Sequence, residues 1–226
     1  MDASFWHTKW ERAEIGFHKE TFDIHLQQQW NRLGVGKNQR VFVPLCGKSL
    51  DILWLAGEGH PVTGVELSQL AVEAFFEENN LLPRRYQQGS FNVWEADEIR
   101  IMNGNIFDLE ARHIADCAGV YERASLIALP PTMREEYVRH LSMILPPVIL
   151  ILLVTMEYDQ TVRSGPPFSV SEEEVMSLYN PAFKIEKLYT HDALSKESPF
   201  RAQGLRELHE KGYLLSRRST QSSLNS

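Results

Sequence analysis

The chain has only two cysteines in 226 residues, Cys46 and Cys117, seventy-one positions apart. That scarcity excludes a disulfide scaffold. With no second cysteine pair and no suitably spaced histidines it also excludes a structural zinc site, so no metal is expected. Positive charge is short as well: 23 Lys and Arg stand against 30 Asp and Glu, for a formal net charge of -7. A nucleic-acid partner needs clustered basic side chains to neutralise phosphates, and none is expected here. Arg217-Arg218, near the carboxyl end, are read as solvated surface charge. Long apolar runs are missing too. The longest, Val148 to Val154, falls far below the roughly twenty residues of a bilayer-spanning helix and is read as a buried strand. The opening MDASFWHTKWER lacks the basic start and apolar core of a secretion signal. A cytoplasmic chain with no membrane partner is expected, in keeping with the scarce cysteine.

What is present is ordinary globular composition, 43% apolar and 23% charged, enough for one domain with a full core. We expect that domain over residues 1–218, with 1–39 as an amino-terminal helical cover and the Ser-rich 219–226 as a disordered tail. In the cover, Phe22, Leu26, Trp30 and Leu33 recur at helical spacing, which predicts a helix from about Glu20 to Leu33 closed by Gly34 and Gly36. From Arg40 the pattern becomes strand and helix in alternation. Val41 to Val43 is a strand, Ser49 to Glu58 a helix stopped by Gly59, and Pro61 to Glu66 a second strand; Ser68 caps a helix to about Asn79. Such order builds a parallel sheet covered on both faces. Phe91 to Trp94 and Ile99 to Met102 flank an acidic turn and predict a hairpin or two short strands. Cys117 to Tyr121 and Val148 to Thr155 follow as strands, with a helix over Thr132 to Leu145 between them. A helix opened by Ser171 and two last strands, Lys184 to Thr190 and Tyr213 to Ser216, complete the chain.

The turn after the first strand, Cys46-Gly47-Lys48-Ser49, looks like a truncated phosphate loop. A P-loop needs a glycine five positions before that Gly-Lys-Ser, because its backbone N–H groups must fold around the phosphate, and Phe42 stands there instead. The dinucleotide pattern G-x-G-x-x-G is missing too, since Gly47 is alone. One inference survives both exclusions. In an open parallel sheet, ligands sit beyond the carboxyl ends of the strands, and an acid ending the second strand accepts bonds from ribose hydroxyls. Glu66 holds that place, nineteen residues after Gly47. On spacing alone it is equally an exposed carboxylate. A nucleoside with a ribose but no pyrophosphate would use the acid and dispense with the glycine nest, and S-adenosylmethionine is such a cofactor.

The stretch VFVPLCGKSLDILWLAGEGHPVTGVELS resembles the cofactor loop of thiopurine S-methyltransferases, whose glycine loop reads P-L-C-G-K. The resemblance covers nearly the whole chain: Phe5-Trp6-His7-Thr8-Lys9-Trp10, Ile15-Gly16-Phe17-His18, Gly104 to Leu109, Tyr121-Glu122-Arg123-Ala124, Gly165 to Phe168 and Gly212 to Leu215. It implies an α/β fold of the class I methyltransferases, a Rossmann-like, mostly parallel seven-stranded sheet with helices on both faces and the cover over the site. It implies S-adenosylmethionine as cofactor, S-adenosylhomocysteine as product, and a small aromatic thiol as acceptor, with selenium or tellurium species as further acceptors and a monomeric enzyme. By the same resemblance Trp10 flanks the cofactor, Leu45 and Gly47 meet it through the loop, and Glu66 takes the ribose hydroxyls. Ile106 lines the adenine side and Arg123 sits near the methionine end, where it also orients or stabilises the acceptor. Trp6 and Asn105 are further cofactor positions, and Phe17 touches the aromatic substrate. The family often has Asp where this chain has Glu122, which puts that side chain's placement in question.

Each assignment has a structural rival. Trp6 and Trp10 lie on an amphipathic segment of the kind that supplies core, Arg123 could pair with its neighbour Glu122 at the surface, and Phe17 could anchor a loop. Cys46 and Cys117 are read as packing residues. A thiolate acceptor is already nucleophilic near neutral pH, which suits a chain with no Ser/His/Asp or Cys/His constellation. Alignment of donor and acceptor can supply roughly 7 to 11 kcal/mol of such a barrier. The competing readings are a methyltransferase for another acceptor and a cofactor-binding protein without turnover.

Overall fold

From Arg40 onward the short apolar strands and amphipathic helices assemble into one sheet. The structure, a computed structural model, describes residues 3–12, 14, 18–195 and 199–218. The tail expected to be disordered, 219–226, lies outside the described residues.

The elements are helices α1 (Ala3–Glu11) and α2 (Ile24–Gln29), strand β1 (Arg40–Pro44), α3 (Asp51–Gly57), β2 (Val62–Glu66) and α4 (Gln69–Glu78). Strands β3 (Arg84–Gln88), β4 (Phe91–Ala96), β5 (Ile99–Asn103) and β6 (Cys117–Arg123) follow. Helix α5 (Pro131–Ile144), β7 (Leu150–Glu157), α6 (Glu172–Tyr179), β8 (Phe183–Asp192) and β9 (His209–Arg217) come next. The strand order is β3-β4-β5-β2-β1-β6-β7-β9-β8. Parallel pairing joins β5, β2, β1, β6 and β7, and β9 runs antiparallel between β7 and β8.

Those seven strands are the expected sheet, but two more extend it. The predicted hairpin forms, with β4 antiparallel to β5 around Asp97, whose φ of 51° supplies the left-handed backbone of a tight turn. Strand β3 then pairs along the outside of β4. Its residues Arg84 to Gln87 are all exposed, so no apolar alternation marked it in the sequence.

Each strand splits its side chains between two cores, as the period of two requires. Val41 and Val43 of β1 join Leu26, Ile52, Leu55 and Phe75 on the face covered by α2, α3 and α4. Phe42 points the other way, into Tyr137, Leu141 and Val175 beneath α5 and α6.

The cover divides in two. Its second part belongs to the core: a Cβ at Gly119 would stand 3.2 Å from the Trp30 ring, so the glycine lets that indole lie against β6. Trp30 Nε1 donates to His60 Nε2 at 3.0 Å. The helix predicted from Glu20 starts instead at Ile24, because the Asp23 side chain accepts from the backbone N–H of His25 and Leu26 and fixes the cap there. Phe22 falls outside it, 41% exposed. The last turn, Trp30–Leu33, tightens to a 3-10 helix and stops at Gly34 with φ 68°.

Ser68 and Ser171 cap α4 and α6 as predicted, accepting from Ala71 N and Glu174 N. After Pro146-Pro147, β7 begins only at Leu150 and leaves Val148 exposed. Arg217 and Arg218 are not free surface charges. Arg217 donates to the carbonyls of Ser142, Leu145 and Pro146 at the carboxyl end of α5, and Arg218 bonds Asn180. The unpaired carbonyls of a helix end need such donors.

Because Leu26 is fully buried in the same core as β1 and α3, Leu26→Ala should cost about 2–5 kcal/mol. Thermal unfolding followed by circular dichroism and by tryptophan fluorescence should show one coincident, lowered transition. A separate early transition for the cover would contradict a shared core.

Candidate active site

The carboxyl ends of β1, β2, β5 and β6 lie side by side, and chemistry-bearing residues gather there. At the tip of β2, Glu66 is buried at 6% exposure, which excludes the exposed-carboxylate reading. One carboxylate oxygen accepts from Gly47 N at 2.8 Å and the other from Ser68 N at 2.7 Å. Burial pushes the Glu66 pKa up, opposed by the N–H groups of Ser68, Gly47 and Leu67. An ionised carboxylate offers about four acceptor positions, so two named bonds leave acceptor capacity for ribose hydroxyls. Asn103 of β5 steadies the same tip, its amide donating to the carbonyls of Glu66 (3.0 Å) and Leu67 (3.1 Å). Nothing in the sequence pattern had singled it out.

The loop from β1 turns sharply beside this acid. Leu45 has φ 45° and Gly47 φ 53°, and Cys46 N donates to Val65 O at 3.0 Å. Positive φ in a leucine is strained. A bond from Ser125 Oγ to Pro44 O, 2.7 Å, helps hold the turn. Ala124, at the end of the neighbouring strand β6, also has positive φ, 65°. Lys48 is not aimed at a phosphate: its ammonium lies 2.6 and 2.8 Å from the two oxygens of Glu78, tying the loop to α4.

Trp10 of α1 reaches this turn. A Cβ on Gly47 would sit 3.3 Å from its ring, so the absent side chain is what lets the indole approach. Trp6 is half-buried and meets Phe5 edge-on at 5.3 Å between ring centroids. Ile106, 4% exposed, stands in a 3-10 turn three residues past Asn103, and Asn105 caps that turn by accepting from Phe107 N. The loop, Glu66 and Trp10 therefore come together, and Ile106 belongs to the core cluster against which Leu45 of the loop packs. Phe17 lies outside the described residues.

Arg123 is at the tip of β6 on the cover side of the sheet. Its partners are not Glu122 but two buried aspartates: Nε lies 3.1 Å from Asp23 Oδ2 and Nη1 3.7 Å from Asp51 Oδ2. Burial pulls the Arg123 pKa down, but Tyr121, Asp23, Asp51 and Glu210 more than offset it, so the side chain stays charged. Burial likewise opposes the charge of Asp23, and Arg123 and Lys19 outweigh it to hold that carboxyl below its usual range. Neither aspartate stood out in the sequence, since each resembles an ordinary helix-start residue.

Glu122 faces the opposite core. It is fully buried and accepts from the Tyr179 hydroxyl at 3.0 Å to each oxygen, which excludes the surface pair with Arg123. Burial pushes its pKa up to about 7, against the bond from Tyr179 and the influence of the nearby Tyr137 hydroxyl. Cys46 and Cys117 are buried as expected. Burial raises the Cys46 thiol well above its ordinary value, with Glu66 adding to the effect, and takes Cys117 to about 12.

A nine-stranded sheet with this seven-strand order has the class I methyltransferase fold. Solved structures agree on the fold. A SAM-dependent methyltransferase from Anabaena variabilis is 14% identical with a TM-score of 0.67, over 96% of this chain and 95% of that one. Magnesium protoporphyrin IX methyltransferase from Synechocystis PCC 6803, with bound SAH, is 12% identical at 0.63, over 96% and 100%. The family model described as Thiopurine S-methyltransferase matches residues 1–218. A thiopurine S-methyltransferase of Pseudomonas fluorescens (strain Pf0-1) is 47% identical over 94% of this chain and 98% of its own. Another, from Azotobacter vinelandii, is 46% identical over 96% and 100%. The chain belongs to the thiopurine S-methyltransferase family.

The Glu122 carboxyl has an ordinary value of 4.5, so between about pH 4.5 and 7 the folded chain holds a proton that the unfolded chain has released. Its contribution to stability is full below that window and is lost as pH rises through 7. Glu122→Gln should remove this decline and melt above wild type at pH 8, as calorimetry at pH 5 and pH 8 would show; identical profiles would contradict the assignment.

Proposed function

We propose that this chain transfers the methyl group of S-adenosylmethionine to the sulfur of thiopurines and other aromatic or heterocyclic thiols, with selenium and tellurium species as further acceptors. The observation that carries the reading is the buried Glu66 carboxylate bonded to Gly47 N, with the Trp10 ring over the same glycine. It is an acid prepared for hydroxyl donors beside a turn too bare for a pyrophosphate nest and roofed by an aromatic surface.

S-adenosylmethionine, when bound, supplies a methyl group on a sulfonium, ready for in-line displacement. Glu66 would take the ribose hydroxyls, Leu45 and Gly47 would back the nucleoside, Ile106 and Asn105 would flank the adenine, and Trp10 and Trp6 would close over it. Arg123 would face the methionine end and the acceptor, and Phe17 would touch the aromatic acceptor. No general base is needed, because a thiolate is formed readily near neutral pH. The chain's work is alignment and exclusion of water.

Two features support this division of labour. The apolar cluster of Tyr158, Leu194, Leu205 and Leu208, with Phe200 packed on it, stands at the same end of the sheet, beyond β7 and β8 and before β9. It offers a wall for a flat, apolar acceptor. Cys46, the thiol nearest the loop, is kept protonated by burial and so does not compete as a nucleophile. We further propose a cytoplasmic monomer with no nucleic-acid partner. Among the described residues no helix is long and apolar enough to cross a membrane, and no group of three His, Cys, Asp or Glu side chains is placed to hold a metal ion.

Incubation with methyl-labelled cofactor and 6-mercaptopurine should yield the S-methyl product, and absence of transfer with all thiopurines and thiophenols would reject the reading. Glu66→Ala removes a charge-assisted acceptor for the ribose, with a net loss of about 1.5–3 kcal/mol. Calorimetry should then find S-adenosylhomocysteine bound about 10- to 100-fold more weakly; unchanged affinity would remove Glu66 from the site.

A further inference from the structure

The guanidinium of Arg123 is not held by the strand that carries it. Its Nε is buried and makes no well-angled hydrogen bond, although Asp23 Oδ2 stands 3.1 Å away. The pair is one of charge and place rather than of a directed bond.

Asp23 has little freedom in that pair. Its Oδ1 accepts from His25 N and Leu26 N, both at 3.0 Å, so capping α2 fixes the side chain. Oδ2 is thereby set between Lys19 Nζ at 2.7 Å and Arg123. The backbone N of Asp23 donates to Asp51 Oδ1 at 2.8 Å, and Asp51 Oδ2 accepts the Tyr121 hydroxyl at 3.1 Å. Asp23 and Asp51 are 1% and 2% exposed. Two buried anions thus face two cations, Arg123 and Lys19, and Glu210, 3.4 Å from His25, adds a further acidic group to the surroundings of Arg123.

We infer that Asp23 is a positioning residue for the transfer reaction: it is supplied by the cover, places the Arg123 guanidinium at the tip of β6, and cancels its charge. The inference rests on the proposed function in one respect, that Arg123 faces the ligands. A neutralised arginine held in place offers N–H groups to a ligand but little general attraction for anions. The site therefore favours uncharged or weakly acidic rings over acceptors that bear an extra carboxylate. Removing the Asp23 charge would move that preference toward carboxylate-bearing acceptors.

Asp23→Asn separates the two roles, because asparagine caps a helix as well as aspartate but carries no charge. Initial rates with thiophenol and with 4-mercaptobenzoate, at one pH, give the ratio of kcat/KM for the two acceptors. Asp23→Asn should shift that ratio at least 5-fold toward 4-mercaptobenzoate, and the same change in an Arg123→Met background should leave the ratio unmoved. A purely structural defect lowers both acceptors alike in both backgrounds, and that result overturns the inference. Should wild-type protein methylate neither these thiols nor any thiopurine, the proposed function fails, and S-adenosylhomocysteine affinity then decides the positioning role. Non-additive losses for Asp23→Asn and Arg123→Met would support it, and additive ones overturn it. If Asp23→Asn does not fold, amide exchange at His25 and Leu26 in Arg123→Met serves instead: exchange at least 5-fold faster supports the coupling, and unchanged exchange overturns it.

Discussion

A carboxylate removed from water must find donors, and the organisation of this site follows from how Glu66 finds them. One oxygen takes Gly47 N and the other takes Ser68 N. The first bond fixes the turn leaving β1, and the second fixes the start of α4. The charge of one side chain thus ties two strand ends and a helix start into one rigid corner. Burial still raises its pKa despite those donors. Desolvated acceptors of this kind gain most from a ligand that brings hydroxyls.

Across the loop the electrostatics are arranged in the opposite sense. Glu66 is an anion stabilised by dipoles, whereas Arg123 is a cation set among full charges, Asp23 and Asp51. Buried ion pairs add little stability over apolar packing, but removing one partner is costly. Such a set specifies position more than it strengthens the fold. It also joins the cover to the sheet, because Asp23 belongs to the cap of α2 and Asp51 to the first turn of α3. The strained backbone at Leu45 and Ala124 lies just past the ends of the two adjacent strands β1 and β6. Backbone strain of this kind persists only where surrounding contacts overdetermine it.

Much of this was legible in the residues. The strand and helix alternation gave the order of elements, and the caps at Ser68 and Ser171 were placed correctly because their hydroxyls act locally. Glu66 was found by its distance from Gly47, a relation imposed by one βαβ unit. Family resemblance, not periodicity, drew attention to Trp10 and Ile106, since an aromatic or an isoleucine on a helix or turn carries no mark of its neighbours. What escaped notice was set by contacts distant in the chain. Asp23 and Asp51 meet over twenty-eight positions, and Asn103 reaches back thirty-seven to Glu66. Strand β3 was hidden for a simpler reason: an outer strand exposed on both faces has no apolar side to alternate. The supposed pairing of Glu122 with Arg123 failed because consecutive residues of a strand point to opposite faces.

That outer strand has a bearing on behaviour at high concentration. An unpaired β edge invites another molecule's edge to add to it. Here Arg84 and Arg85 stand on β3, the Arg85 guanidinium lying 3.5 Å from the centroid of the Trp94 ring and so shielding an indole from outside contact. Arg84 is paired to Glu95 at 3.0 Å, so a second copy approaching β3 to β3 would bring its own Arg85 against this one. The hairpin that lengthens the sheet therefore also protects it along this edge.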